Sequence, residues 1–559
     1  MRRPAGRGSP LTAITDRNGN RIDLIYRDRL LAEVRHSAGY RILIDTAPVG
    51  RHGHRITALR AADGTTLVRF GYDPDSGDLT EVTDSSGIPQ RFSYDAEHRL
   101  TGWIDRNGHW YRYTYDEQGR AVRGEGSQGR LNAVFSYDVG NRRTVVTDAL
   151  GHSTVYRYNE RDQIVEETDP LGAVTRFEWD EYDRLLSRTD PLGHTTRFRY
   201  DDRGNLLQVR YADGTVSAAE YNELNLPTRI VQPDGAVWRM EYDDRGNLTR
   251  QTDPTGAVTA FTYDDRGGLL SVTDPLGHTS RAELNAAGLP LTITDAQGGI
   301  SHRSYDAMGR LVRYTDPTGA VTALSWTVEG RLTSRTLPDG TVEHWRYDGE
   351  GNLVEHTDRL GQTTRTEYGP LDLPAAVVRP DGSRLTFEYD GELRLTTVTT
   401  DTGLTWRYTY NAAGHLVGET DFNGRSIAYT TDAAGRLIAR TNGAGQTVGY
   451  VRDPFGNVVE KTADGRTTTF AYDAMGRLVR AFGSGIELKI HRDLRGRVLA
   501  ETWNGATTAH TRDAVGRVIA RRTPSGARTA WSYTPTGLPA VLRTGDHTLT
   551  FAYDAVGRE

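Results

Sequence analysis

An aromatic-acid pair returns about every 21 residues through most of this 559-residue chain, and nothing else in the sequence limits the fold as strongly. It stands at Tyr94-Asp95, Tyr115-Asp116 and Tyr200-Asp201, at Tyr242-Asp243 and Tyr263-Asp264, and at Tyr305-Asp306, Tyr347-Asp348, Tyr389-Asp390 and Tyr472-Asp473. Degenerate members keep the phase, among them Trp179-Asp180, Leu284-Asn285, Trp326-Thr327, Thr431-Asp432, Arg452-Asp453, Arg492-Asp493 and Arg512-Asp513. About 24 occurrences in step exclude chance, and a fixed period of this size marks a repeat architecture. Length alone would suggest three or four domains of ~150 residues; the period replaces that reading with one array.

Each period reads as two strands and two turns. In residues 186–209, Thr189-Asp190-Pro191-Leu192-Gly193 precedes a strand ending at Phe198 and Tyr200, and Asp201-Asp202-Arg203-Gly204-Asn205 follows. Pro presets φ in the first turn; in the second, the Asp carboxylate accepts backbone N–H bonds as an Asx-turn before a Gly suited to positive φ. Between turns the pattern alternates with period two, as at Phe92 and Tyr94, Phe177 and Trp179, Phe261 and Tyr263, and Phe387 and Tyr389. These aromatics share one strand face, with Thr, Arg and Glu opposite, so the expectation is an antiparallel sheet with one buried and one wet side.

The fold class is therefore all-β: about 24 two-stranded units, roughly 48 strands, in one antiparallel sheet. Open twisted sheets rarely exceed ~10 strands without curling, so the ribbon is expected to spiral into a partial hollow cocoon. The competing architecture is tandem β-propellers, since two units make a blade's length of ~42 residues. Residues 72–559 read as a continuous array, its period tightening to about 20 after residue 453 and ending mid-repeat. Residues 1–71 form an irregular segment with degenerate repeats, such as Thr15-Asp16-Arg17-Asn18-Gly19 followed by Leu24 to Asp28.

Composition narrows the function. With no cysteine there is no disulfide framework and no thiolate metal site. The 68 basic and 74 acidic residues are interspersed to a net charge of −6, so no basic field follows a phosphate backbone and nucleic acid is not an expected partner. No window reaches the ~18 to 20 apolar residues of a membrane span, and Met1–Pro10 carries arginines without the apolar core of a signal peptide.

Several residue rows suggest chemistry, and for each a plain structural role competes. Turn residues Asp190, Asp253, Asp274 and Asp316 would stack in rows able to bind calcium, but each stands where its turn needs a cap. His152, His194 and His278 repeat in one turn position without a second ligand type, which favours solvated turn histidines over a metal site. The Tyr and Trp rows would form a carbohydrate-stacking surface if they faced outward; shared with Phe, they read as the packed core. Arg310, Arg331, Arg436, Arg477, Arg497 and Arg517, each after a turn Gly, could bind anions or simply pair with neighbouring turn Asp residues. There is no Gly-x-Ser-x-Gly elbow, Walker loop or His-Glu-x-x-His, so no catalytic, cofactor or metal residue is assigned.

The pattern Tyr-Asp-x-x-Gly-Arg-Leu recurs at Tyr305-Asp306-Ala307-Met308-Gly309-Arg310-Leu311 and at Tyr472-Asp473-Ala474-Met475-Gly476-Arg477-Leu478, with Gly246 in the corresponding place after Tyr242-Asp243. Through it the chain resembles the RHS/YD-repeat family, which includes bacterial Rhs polymorphic toxins, insecticidal toxin-complex subunits and teneurins. The resemblance implies a spiralling β-sheet cocoon that, in the bacterial members, encloses a C-terminal toxin. The expected role is a non-catalytic encapsulating shell segment used in competition between bacteria. Its partners would be the toxin polypeptide and the secretion machinery, and its location secreted or at the cell surface within a complete protein. The alternative is a wall-associated repeat protein binding carbohydrate or protein. The family's core-closing protease and variable toxin domain are not seen before Glu559, so the chain reads as shell material truncated at both ends.

Overall fold

The computed structural model describes residues 10–559; Met1–Ser9, most of the segment read above as lacking a signal peptide, lie outside the described residues. Fifty-two strands, from Ala13–Thr15 to His547–Thr550, form a single sheet in which each strand pairs antiparallel with the next in sequence. Such a continuous meander is not divided into blades, which removes the propeller alternative. The first and last strands pair with one neighbour each, so the sheet does not close on itself. Among the described residues the only helical pieces are two short 3-10 turns, Ser127–Gly129 and Pro370–Asp372, and no helix is long and apolar enough to cross a membrane.

A typical unit joins a six-residue strand ending in the repeat aromatic, such as Val258–Tyr263, to a five-residue strand beginning with Leu, such as Leu269–Thr273. The register slips by one residue at that aromatic, between Thr262 and Tyr263 here and between Ser304 and Tyr305 two units later. A bulge bends its strand and increases the local twist. Repeated at the same edge of nearly every unit, it accumulates as curvature, and the ribbon coils.

The coil returns to itself after about 243 residues. Asp234 meets Arg477 at a separation of 243 residues, Ser85 meets Glu329 at 244, and Ala149 meets Glu392 at 243. The Ser85 turn follows the seventh strand and the Glu329 turn the thirtieth, so one lap holds 23 strands. An odd number is required. Turns opening with Asp after Thr lie along one edge of the ribbon and turns after the repeat aromatic along the other, and only an odd lap brings opposite edges together. At ~4.8 Å per strand the lap measures about 110 Å, a diameter of about 35 Å, rising to about 45 Å at the strand tilt of closed barrels.

The wall is one sheet thick. The protein exposes 32156 Å², where a compact monomer of 62.0 kDa would expose about 20,000 Å². The expectation of a packed aromatic core is corrected accordingly: among the described residues only six apolar ones are buried (Ala58, Ala61, Ala236, Met240, Ala376 and Val398), and the aromatic rows are half-buried. Alternation separated the two faces correctly, but among the described residues no second layer covers the apolar one.

Candidate functional site

The unit is held by three bonding patterns that together account for its signature residues. In the turn after Tyr305, Asp306 Oδ1 accepts the backbone N–H groups of Met308 and Arg310, both at 2.9 Å, and Oδ2 accepts Arg310 Nε at 2.7 Å. Gly309 closes the turn with φ +79°, a region that costs other residues strain. Burial pushes the Asp306 carboxyl up, but the Arg310 backbone and guanidinium bonds outweigh it and hold it below the usual carboxylate range. Asp473 with Arg477 beside Gly476 repeats the arrangement, as does Asp390 with Arg394. Asp243 and Asp348 bond Asn247 and Asn352 in the same way, Gly246 having φ +90°. Asp264 caps Arg266 and Gly268 through backbone alone.

The second pattern explains the aromatic. Tyr242 donates its hydroxyl to Pro227 O at 2.9 Å, Tyr263 to Leu248 O at 2.8 Å and Tyr305 to Pro290 O at 2.9 Å. Tyr347, Tyr389 and Tyr472 do the same to Leu332, Pro374 and Val458. Each ring thus ties its strand to a carbonyl at the start of the preceding strand. Where Trp179 or Trp326 holds the slot, its indole N–H reaches Ile164 O or Leu311 O, both at 2.8 Å. Where Arg452 or Arg512 holds it, Nε reaches Leu437 O at 2.7 Å or Val498 O at 3.0 Å. The slot therefore selects a long side chain with a donor at its tip. Sequence reasoning missed this rule and saw only a weakening motif; Tyr, Trp and Arg sharing one register was the available signal.

The third pattern concerns the arginines left open between anion binding and pairing. Arg310, Arg436, Arg477, Arg497 and Arg517 all pair with the aspartate four residues earlier, at 2.6 to 2.8 Å. Their guanidinium groups also reach the next unit: Arg310 and Arg517 bond Thr327 O and Thr534 O, and Arg517 stacks 4.7 Å from the centre of the Tyr533 ring. Arg331, whose turn opens with Thr327, instead bonds Glu350 O and lies over Tyr347.

His194 and His278 take the same place on the opposite edge, each with Nδ1 3.0 Å from the aspartate of its own turn, and His152 stands 3.5 Å from Asp148. Asp190, Asp253, Asp274 and Asp316 each cap two backbone N–H groups of their own turns. Among the described residues no three His, Cys, Asp or Glu side chains gather as a metal site.

Laps join through the turns. Arg106 donates backbone and side-chain N–H groups to Glu350 and pairs with Asp84 at 3.2 Å, and Asn107 bonds Asp348 at 3.0 Å. Further along, Arg477 meets Asp234 at 2.7 Å and Arg495 meets Asp253 at 3.0 Å.

The model of the RHS repeat matches fourteen stretches between residues 74 and 481, most of them overlapping a neighbour, together more than half of the chain. This chain belongs to the RHS-repeat family. Two curated RHS relatives from Dickeya dadantii (strain 3937) match over 142 residues: the probable deoxyribonuclease RhsA at 37% identity and the probable deoxyribonuclease RhsB at 35%. That stretch is 25% of this chain and 10% of either relative, so the RHS chain spans a small part of their length. In fold it is similar to the crystal structures of TcdB2-TccC3-TEV, with TM-score 0.57 at 15% identity over 90% of this chain and 36% of that one, and of TcdB2-TccC3, with TM-score 0.55 at 12% identity over 95% and 42%. The RHS repeats here build a coiled wall one sheet thick.

Proposed function

We propose that this RHS-repeat wall encloses a polypeptide, keeping a toxin segment of a larger exported protein apart from its surroundings, and that the wall takes no part in catalysis. The observation that carries the reading is the stacking of successive laps edge to edge around a common space. Removing ~5 Å of side chain from each side leaves a lumen about 25 to 35 Å wide. A helix of ~10–12 Å enters such a space easily, whereas a compact 100-residue domain, about 34 Å across from its radius of gyration, would need all of it. The cargo is therefore held extended or loosely folded. The RHS relatives named as probable deoxyribonucleases are in keeping with an active segment carried outside the repeats. Residues 72–559 serve as the continuous array and the signature residues Tyr305, Asp306, Gly309 and Arg310, with their counterparts, as wall-building groups.

The test is to append an unstructured polypeptide with a single protease site after Glu559 and compare its cleavage with that of the free peptide. Protection by tenfold or more supports enclosure. Equal rates, with the wall intact by small-angle scattering, reject it.

A further inference from the structure

The seam at Arg495 has a second copy of its socket that no lap among the described residues covers. Trp238 is the second residue of the strand Val237–Tyr242, and Asp253 opens the turn after Leu248–Thr252. Arg495, at the tip of the turn Asp493–Arg497 one lap later, lies 5.6 Å from the Trp238 ring centre and pairs with Asp253 at 3.0 Å. The Asp253 side chain is only 6% exposed, so the guanidinium and indole between them remove this carboxylate from water.

Eight periods further along, Trp406 is the second residue of the strand Thr405–Tyr410, and Asp421 opens the turn after Leu416–Thr420. The two sockets share the same edge, the same strand positions and the same ring-to-acid spacing in sequence. Here the space above them is a cleft of about 730 Å³, lined only by residues between Trp406 and Ala444 of this edge. Phe422 stands edge-on to Trp406 at 5.4 Å, Tyr408 stacks beside it at 6.2 Å, and the buried Trp406 Nε1 has no hydrogen-bond partner. Asp421 is paired at 2.7 Å with Arg425, which stands where the first socket has Ala257 and whose side chain is 76% exposed, so an incoming arginine would displace it.

We propose that the Trp406–Asp421 cleft docks a further lap of RHS-repeat wall, seating the arginine of an Asp-x-Arg-Gly turn between the indole and the carboxylate as Arg495 is seated at Trp238 and Asp253. The inference goes beyond enclosure of a cargo and does not depend on it. A cation over tryptophan beside a carboxylate is a chemistry selective for guanidinium, which matches planar acceptors and stacks on rings where an ammonium does not.

The test follows the tryptophan indole 15N–1H signals of the whole chain, with Trp406 assigned by its loss in Trp406→Phe. The probe is a cyclic peptide reproducing His491–Val498, added to millimolar concentration. The expected result is a saturable shift of the Trp406 signal that weakens at least tenfold in Asp421→Asn or when the peptide's arginine at the Arg495 position is replaced by alanine. No shift, or an equal shift with the alanine peptide, overturns the proposal. A shift that grows with protein concentration alone, without peptide, overturns it and assigns the cleft to a second copy of this chain instead. A shift caused by a neutral glucose oligosaccharide and not by the peptide makes it a sugar cleft.

Discussion

The hydroxyl of Tyr305 lies 2.9 Å from the carbonyl oxygen of Pro290, fifteen residues back and one strand over. That bond joins consecutive units at the edge where the register slips, beyond Thr292 and His302, the last residue pair between the two strands on that side. Replacing Tyr305 by Phe removes the donor and leaves the acceptor half-buried, a loss of about 0.5 to 1.5 kcal/mol. Tyr305→Trp should recover most of it, because Trp326 makes the same bond one unit later. Urea denaturation of the three proteins decides the matter: Phe and Tyr with the same midpoint would refute the staple.

Gly309 and Gly319 separate backbone strain from a lap contact. Both have positive φ, +79° and +87°, so alanine at either costs about 1 kcal/mol. A side chain at Gly319 meets open space, while one at Gly309 meets the hydroxyl of Tyr40 from the previous lap. Gly309→Ala should therefore be the more damaging, with extra amide exchange in the strands around Tyr40 as well as in its own unit. Equal losses at the two sites, confined to the mutated unit, would mean that this contact does not hold the laps together.

Much of this was legible in the residues. Period, strand count to within a few, both turn types and the two faces follow from Asp, Gly and aromatic spacing, because local backbone chemistry dictates them. The lap did not. It emerges from the bulge at Tyr263 and its counterparts, which no single residue encodes, summed over 23 strands. Pairs such as Asn107 with Asp348, 241 residues apart, are set by that sum and have no signal in either neighbourhood. The half-burial of the aromatics was misread for a related reason: alternation reports a preferred face, and only the assembled fold tells whether anything covers it.

Seam pairs should couple more strongly than pairs within the sheet. Arg106 and Glu350 are 11% and 15% exposed, whereas Arg384 and Glu367 are 41% and 57% exposed. A double-mutant cycle to alanine at Arg106 and Glu350 should give more than about 1 kcal/mol, and the exposed pair less than that. Small-angle scattering of Arg106→Ala should also show an expanded particle. Similar coupling for the two cycles would place lap cohesion elsewhere.

Acid should unfold the array through its turns. In Asp306, Asp432, Asp473 and Asp493 burial raises the carboxyl pKa, but backbone and arginine hydrogen bonds prevail and leave it depressed. Glu33, buried between Arg41 and Arg35, is held at about 2 by their hydrogen bonds. A depressed folded value means that the unfolded chain binds more protons as the pH falls. This stabilisation is present above the ordinary carboxylate values near 4 and is lost as the pH drops through the lower folded values. Circular dichroism should show stability flat from pH 7 to about 5 and falling steeply below 4. Asp306→Asn, which keeps the Asx cap as Asn285 and Asn411 do, should lessen the slope. An unchanged slope in that variant, and in Asp473→Asn, would exclude the turn carboxylates as its source.

The donor rule also predicts a gain. Leu284 occupies the aromatic slot and pairs with Pro290 across the same register slip, but its side chain has no donor to offer. By the fifteen-residue offset its acceptor would be the carbonyl of Leu269, the first residue of the strand Leu269–Thr273 and itself 41% exposed. Leu284→Tyr should stabilise the array by about 0.5 to 1 kcal/mol through a bond made at an exposed edge. Leu284→Phe, equal in ring area and lacking the hydroxyl, should gain less. Amide exchange within the strands Leu269–Thr273 and Thr279–Leu284 reads the difference locally: slower exchange in the Tyr variant alone supports the rule, and equal slowing in both variants assigns the slot to ring packing.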